Sequence, residues 1–172
     1  MDGSQGALLS KPRADFSATC RIRESIWRTR NSSIHEQPRG QPEIIVLEST
    51  PENFVAAESW HSDVTFEECP PDATLLYSLE VPEEGGDTLF SSQYLAYEDL
   101  DMDLKSSLSG KLAIHSNIGV LMLSGGDPKD AKTVEHPIFR EHPETGKKAL
   151  YVTEAFVKSI KDLDSAESRR IL

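Results

Sequence analysis

The stretch Trp60-His61-Ser62-Asp63 sets an imidazole and a carboxylate on either side of one serine. On an extended chain, side chains two residues apart leave from the same face, so His61 and Asp63 would project together while Ser62 turns away. A neutral ring nitrogen and a carboxylate oxygen side by side suit a divalent first-row metal, and they make up two of the three ligands in the facial triad that holds non-haem Fe(II). The tripeptide is common by chance. Taken alone, it reads more plainly as a half-buried histidine beside an aspartate that satisfies loop amides. The surrounding elements have to decide.

Around this pair the texture is that of short strands. Residues 43–49, EIIVLES, form an apolar and β-branched run of strand length, and residues 73–81, ATLLYSLEV, form a stronger one. Pro70-Pro71 punctuates the interval between the pair and the second run. Gly85-Gly86 then marks a turn or a close backbone approach before a shorter strand over 88–93. Trp60, Phe66, Leu75, Leu76, Leu79 and Leu89 read as core, with pocket wall as the alternative.

The period changes over 91–110, where Tyr94, Leu95, Tyr97, Leu100, Leu104 and Leu108 recur at three- and four-residue steps. This predicts a helix broken near Asp101 and closed by Gly110. Residues 111–117 return to strand, and 136–156 read as a hairpin whose Pro-Glu-Thr-Gly turn carries Gly146. A final helix opens at Asp164 or Ser165, with Glu167 in its first turn.

With 172 residues the chain has room for one domain. Its net charge is −11, and residues 1–40 carry seven Lys/Arg against four acids, so a head of +3 precedes a body of −14. Such a body repels phosphates and excludes nucleic acid as its partner. The head, rich in Ser, Gly, Gln and Arg, reads as a poorly ordered extension over residues 1–42, with the folded domain over 43–172. No apolar run reaches the ~20 residues of a membrane helix, no signal peptide is evident, and a cytoplasmic location is expected. Cys20 and Cys69 are far apart and in no metal-like spacing, and read as free thiols.

The ordered series WHSDVTFEECPPDATLLYSLEVPEEGGDTLFSS, AYEDL, LKSSLSGKLAIHS and HPIFREHPETGKKALYVTEAF resembles the taurine dioxygenase (TauD/TfdA) family of Fe(II)- and 2-oxoglutarate-dependent dioxygenases. The resemblance implies a mainly β fold with flanking helices, part of a jelly-roll-like double-stranded β-helix. It implies that His61 and Asp63 are iron ligands and that Thr88, after Gly85-Gly86-Asp87, contacts the carboxylate of 2-oxoglutarate. The implied reaction is hydroxylation of a small, anionic, sulfonate-like substrate by O2, with release of succinate and CO2, and a homo-oligomer is compatible with it.

In that family a distal histidine completes the triad, and two arginines follow it. All three fall beyond Leu172 by the family's spacing, so the chain reads as a central portion of such an enzyme. The alternative is a non-catalytic or fragmentary remnant that retains two ligand positions. His35, His115, His136 and His142 are not expected to substitute for the third ligand; the last three are assigned surface or structural hydrogen bonds. No separate acid-base catalytic residue is singled out. Ala57 stands where taurine-selective members of the family tend to carry a polar contact, so the resemblance does not single out taurine, and other sulfonates, aryloxyacids, sulfate esters or a biosynthetic intermediate remain open.

Overall fold

The computed structural model describes residues 59–172; the expected strand 43–49, the boundary at 42/43, Cys20, His35 and Ala57 lie outside the described residues. The helical pattern of 91–110 forms two short helices, α1 (Gln93–Asp99) and α2 (Met102–Leu108). The break falls where expected because Asp101 leaves the helix to cap the second segment, its carboxylate accepting from the Leu104 N–H at 2.7 Å. Gly110, at φ 75°, turns the chain into β1 (Leu112–Ser116).

After β1 come α3 (Ile118–Leu123), β2 (Thr133–Pro137), β3 (Phe139–Glu141), β4 (Lys148–Leu150), β5 (Val157–Ile160) and α4 (Ser165–Ile171). β1 is the centre of a three-stranded antiparallel sheet in the order β2-β1-β5, with Ala113 opposite both His136 and Ile160. β3 and β4 form the expected hairpin, with Gly146 at φ 66° in its turn. The hairpin joins the sheet through the Ile138 N–H, which donates to the Lys111 carbonyl at 3.1 Å.

Leu108, Ala113, Ile138 and Ile160 are buried together, and Leu104, Leu150, Leu163 and Ile171 pack on them. The last helix starts where the sequence places it: Asp164 caps it by accepting from the Ala166 and Glu167 N–H groups at 2.9 Å. A two-turn helix gains little from its own hydrogen bonds. This one is tied to the sheet by buried Ser168, whose hydroxyl accepts from the Ile160 N–H at 2.8 Å.

Four expectations are corrected. Gln93 already opens α1, and residues 73–81 and 88–92 run irregularly instead of forming strands, since a strand is stable only when a neighbour takes up its backbone groups and they pair with none among the described residues. Their apolar side chains, with Leu75 at 83% and Phe90 at 88% exposure, are therefore not core; Leu76, Leu79, Leu89 and Trp60 are exposed as well. The described part is accordingly a mixed α/β arrangement with two antiparallel sheets rather than mainly β. Cys69 is disulfide-bonded and not a free thiol, because spacing along a chain does not reveal approach in space.

Replacing Ser168 with alanine leaves the buried Ile160 N–H without an acceptor and should cost about 1–3 kcal/mol. A urea midpoint unchanged from wild type would show that α4 is not held this way.

Candidate metal centre

His61 and Asp63 do not lie on a strand. His61 and Ser62 are irregular, and a turn begins at Asp63. The two side chains nonetheless converge: His61 Nε2 lies 3.4 Å from Asp63 Oδ1, with both groups partly exposed. Ser62 points elsewhere, its hydroxyl accepting from Gln93 Nε2 at 3.1 Å and tying the site to the start of α1.

Each of the two groups is held from behind. His61 Nδ1 is 2.8 Å from the Ser59 carbonyl, which can only accept, so Nδ1 carries the hydrogen and Nε2 presents its lone pair toward Asp63. The ring stands edge-on to Phe156 at 6.3 Å, and Phe156 packs against Phe66 at 5.2 Å. Phe156 is itself buried and fixed by its carbonyl, which accepts from the Ser116 N–H at 2.8 Å. On the other side, Thr74 donates to Asp63 Oδ2 at 2.5 Å, leaving Oδ1 as the oxygen nearest the imidazole.

A free imidazole lone pair and a free carboxylate oxygen at this separation can share one cation at the ~2.0–2.2 Å bond lengths of first-row metals. The two residues present therefore fit a metal as a pair of adjacent ligands. Among the described residues no group of three or more His, Cys, Asp or Glu could hold one. Thr88, the expected 2-oxoglutarate contact, is exposed on the irregular stretch 71–92, after Gly85 and Gly86 at φ 77° and 72°.

The turn after Asp63 is strained. Val64 has φ 57°, a left-handed conformation that costs a β-branched residue on the order of 1–3 kcal/mol. Thr65 is fully buried, its Oγ1 2.9 Å from His115 Nδ1, and His136 Nε2 donates to the Glu67 carbonyl at 3.0 Å. His115 and His136 are thus structural, as the sequence suggests, and buried rather than on the surface; His142 is half-buried and accepts from the Glu144 N–H within its hairpin turn.

Burial, and secondarily the neighbouring His136, push the His115 pKa from 6.5 down to about 4. Burial also lowers that of His136, against the raising effect of its bond to the Glu67 carbonyl.

Sequence reasoning missed Thr74, Phe156 and the bond from Thr65 to His115. Thr74 is eleven residues from Asp63 and Thr65 is fifty from His115, so only the fold brings them together.

The chain belongs to the taurine catabolism dioxygenase TauD, TfdA family, whose model matches residues 6–172. It is 44% identical over 117 residues to a candidate alpha-ketoglutarate-dependent sulfonate dioxygenase of Schizosaccharomyces pombe, covering 66% of this chain and 30% of that protein. It is 35% identical over 128 residues to the alpha-ketoglutarate-dependent sulfate ester dioxygenase of Pseudomonas putida, covering 67% and 42%. A crystal structure of a candidate alpha-ketoglutarate-dependent taurine dioxygenase from Burkholderia xenovorans superposes with a TM-score of 0.65 at 32% identity, over 80% of this chain and 47% of that one. The chain thus spans between about a third and a half of the length of these proteins.

Two predictions follow from the site. Thr74→Val frees Asp63 Oδ2 and should weaken Co(II) binding by about tenfold, the lower end for an outer-shell partner; unchanged affinity in an anaerobic titration would remove Thr74 from the site. For His115 the folded pKa lies below the unfolded one, so as pH falls the unfolded chain takes the proton first. Stability should be flat above about pH 6.5 and fall by on the order of 3 kcal/mol toward pH 4 from this group. In His115→Asn that part of the slope should vanish; identical urea midpoints against pH in both proteins would contradict it.

Proposed function

We propose that His61 and Asp63 are two iron ligands of an Fe(II)- and 2-oxoglutarate-dependent dioxygenase that hydroxylates a small anionic, sulfonate-like substrate. The observation that carries this is the 3.4 Å approach of Nε2 to Oδ1, with Nδ1 and Oδ2 already engaged by Ser59 and Thr74. Family membership and the relatives named for sulfonates and sulfate esters support the substrate class.

When bound, iron with 2-oxoglutarate and O2 supplies the oxidising power, so that substrate C–H becomes C–OH while 2-oxoglutarate leaves as succinate and CO2. The protein's part is to hold and orient. His61 offers Nε2, because Ser59 keeps the hydrogen on the other nitrogen. Asp63 offers Oδ1, because Thr74 occupies Oδ2. Thr88 is assigned to the carboxylate of 2-oxoglutarate on family likeness alone.

The likeness to the taurine dioxygenase structure supports placing the two antiparallel sheets in a double-stranded β-helix. The division into an extension over 1–42 and a domain over 43–172 rests on the change in sequence texture. The net charge of −11 favours a small-molecule partner over nucleic acid. Among the described residues no helix is long and apolar enough to cross a membrane. A cytoplasmic location is proposed on the family's chemistry, the free thiols once expected being no support for it.

Anaerobic addition of Fe(II) and then 2-oxoglutarate should give the weak visible charge-transfer band of such complexes, and His61→Ala and Asp63→Ala should each abolish it. A band that survives both substitutions would overturn the assignment. No band in the wild-type chain would favour the non-catalytic alternative.

A further inference from the structure

We propose that His115 and His136 are positioning residues for the metal pair: together they clamp the turn that carries Asp63. The inference rests on the reading of His61 and Asp63 as ligands and extends it to a part of the molecule that makes no contact with the metal.

Val64 is the starting point. It directly follows Asp63 and has φ 57°, where a β-branched residue stays only if its surroundings hold it there. Within the turn, the Glu67 N–H donates to the Val64 carbonyl at 3.0 Å. Further bonds reach it from the sheet. The Thr65 hydroxyl is 2.9 Å from His115 Nδ1 on β1, and the Glu67 carbonyl accepts from His136 on β2 at 3.0 Å. The Glu67 carboxylate is paired with Lys132, just before β2, at 2.9 Å.

The two histidines make a rigid base for these bonds. β1 and β2 are antiparallel neighbours with His136 opposite Ala113, two residues from His115, so both rings lie on one face of the sheet. They meet edge to face at 5.0 Å, Tyr151 stacks on His115 at 5.5 Å, and the Arg140 guanidinium lies 4.9 Å from the centroid of the Tyr151 ring.

One detail separates a clamp from ordinary core filling. His115 is wholly buried, yet its Nε2 has no hydrogen-bond partner. An apolar side chain would fill the same space without that orphan atom. What only the imidazole supplies is the Nδ1 contact to Thr65, two residues from the ligand Asp63.

The test compares wild type with Thr65→Val, Thr65→Ser and the double variant Val64→Gly/Thr65→Val. Valine keeps the shape and removes the hydroxyl; serine keeps the hydroxyl; glycine at 64 adopts the left-handed conformation freely. Two quantities are read, the exchange of the Glu67 amide in metal-free protein and the affinity for Co(II). Thr65→Val should speed the exchange severalfold and weaken Co(II) by about tenfold. Thr65→Ser should retain both, and Val64→Gly should restore both in the valine background.

A Thr65→Val protein that matches wild type in exchange, or a double variant with no recovery, overturns the clamp. If Thr65→Val does not fold, His136→Phe, which removes the donor to Glu67 and keeps a ring, takes its place in the same comparison. If wild type binds no Co(II), it is the ligand reading that fails, and the Glu67 exchange still decides whether the clamp exists.

Discussion

Two side chains with one residue between them can share a cation only when the backbone between them is bent correctly and their outer atoms are engaged elsewhere. Here that constraint is met from three directions. The Ser59 carbonyl fixes the hydrogen of His61 on Nδ1, Thr74 takes one oxygen of Asp63, and the turn through Val64 sets the direction of the aspartate. None of the three is strong alone. Both hydrogen bonds are partly exposed, and the turn costs energy rather than supplying it. The geometry persists because the turn is anchored on the sheet β2-β1-β5, with its buried histidines, and on buried Phe156.

This division of labour explains an otherwise odd distribution of burial. The buried polar residues Thr65, His115 and His136 lie behind His61 and Asp63, while the apolar residues of 73–90 are exposed. Burying polar side chains is unfavourable unless they are bonded, and these are bonded to the turn that follows Asp63. The neutral state that burial imposes on His115 fits a bonding role rather than a titrating one near neutral pH.

Much of this was legible from the sequence, for identifiable reasons. His61 and Asp63 could be singled out because their types suit a metal and the family resemblance raised a common tripeptide above chance; what the structure adds is the 3.4 Å approach of the two side chains. The helix break at Asp101, the hairpin turn at Gly146 and the cap at Asp164 are local events written in a few neighbouring residues. The strand expected at His61 and Asp63 was wrong, although the two side chains still come together: a turn with Val64 in a left-handed conformation brings them within 3.4 Å. Nothing in a valine announces a positive φ. The strands expected over 73–81 and 88–93 have the right residue types, but residue type gives only a tendency, and a partner gives the strand. Thr74 and the His115 contact depend on residues eleven and fifty positions apart, which no local pattern records.

The most direct test of the central claim is proton NMR of the Co(II)-loaded chain in water. A histidine bound through Nε2, with its Nδ1 hydrogen held by the Ser59 carbonyl, should give one strongly shifted, exchangeable resonance that disappears in D2O and is missing from His61→Ala. A Co(II) spectrum without that resonance, or one in which it persists after His61 is removed, would contradict the assignment of His61 and Asp63 as a shared metal site.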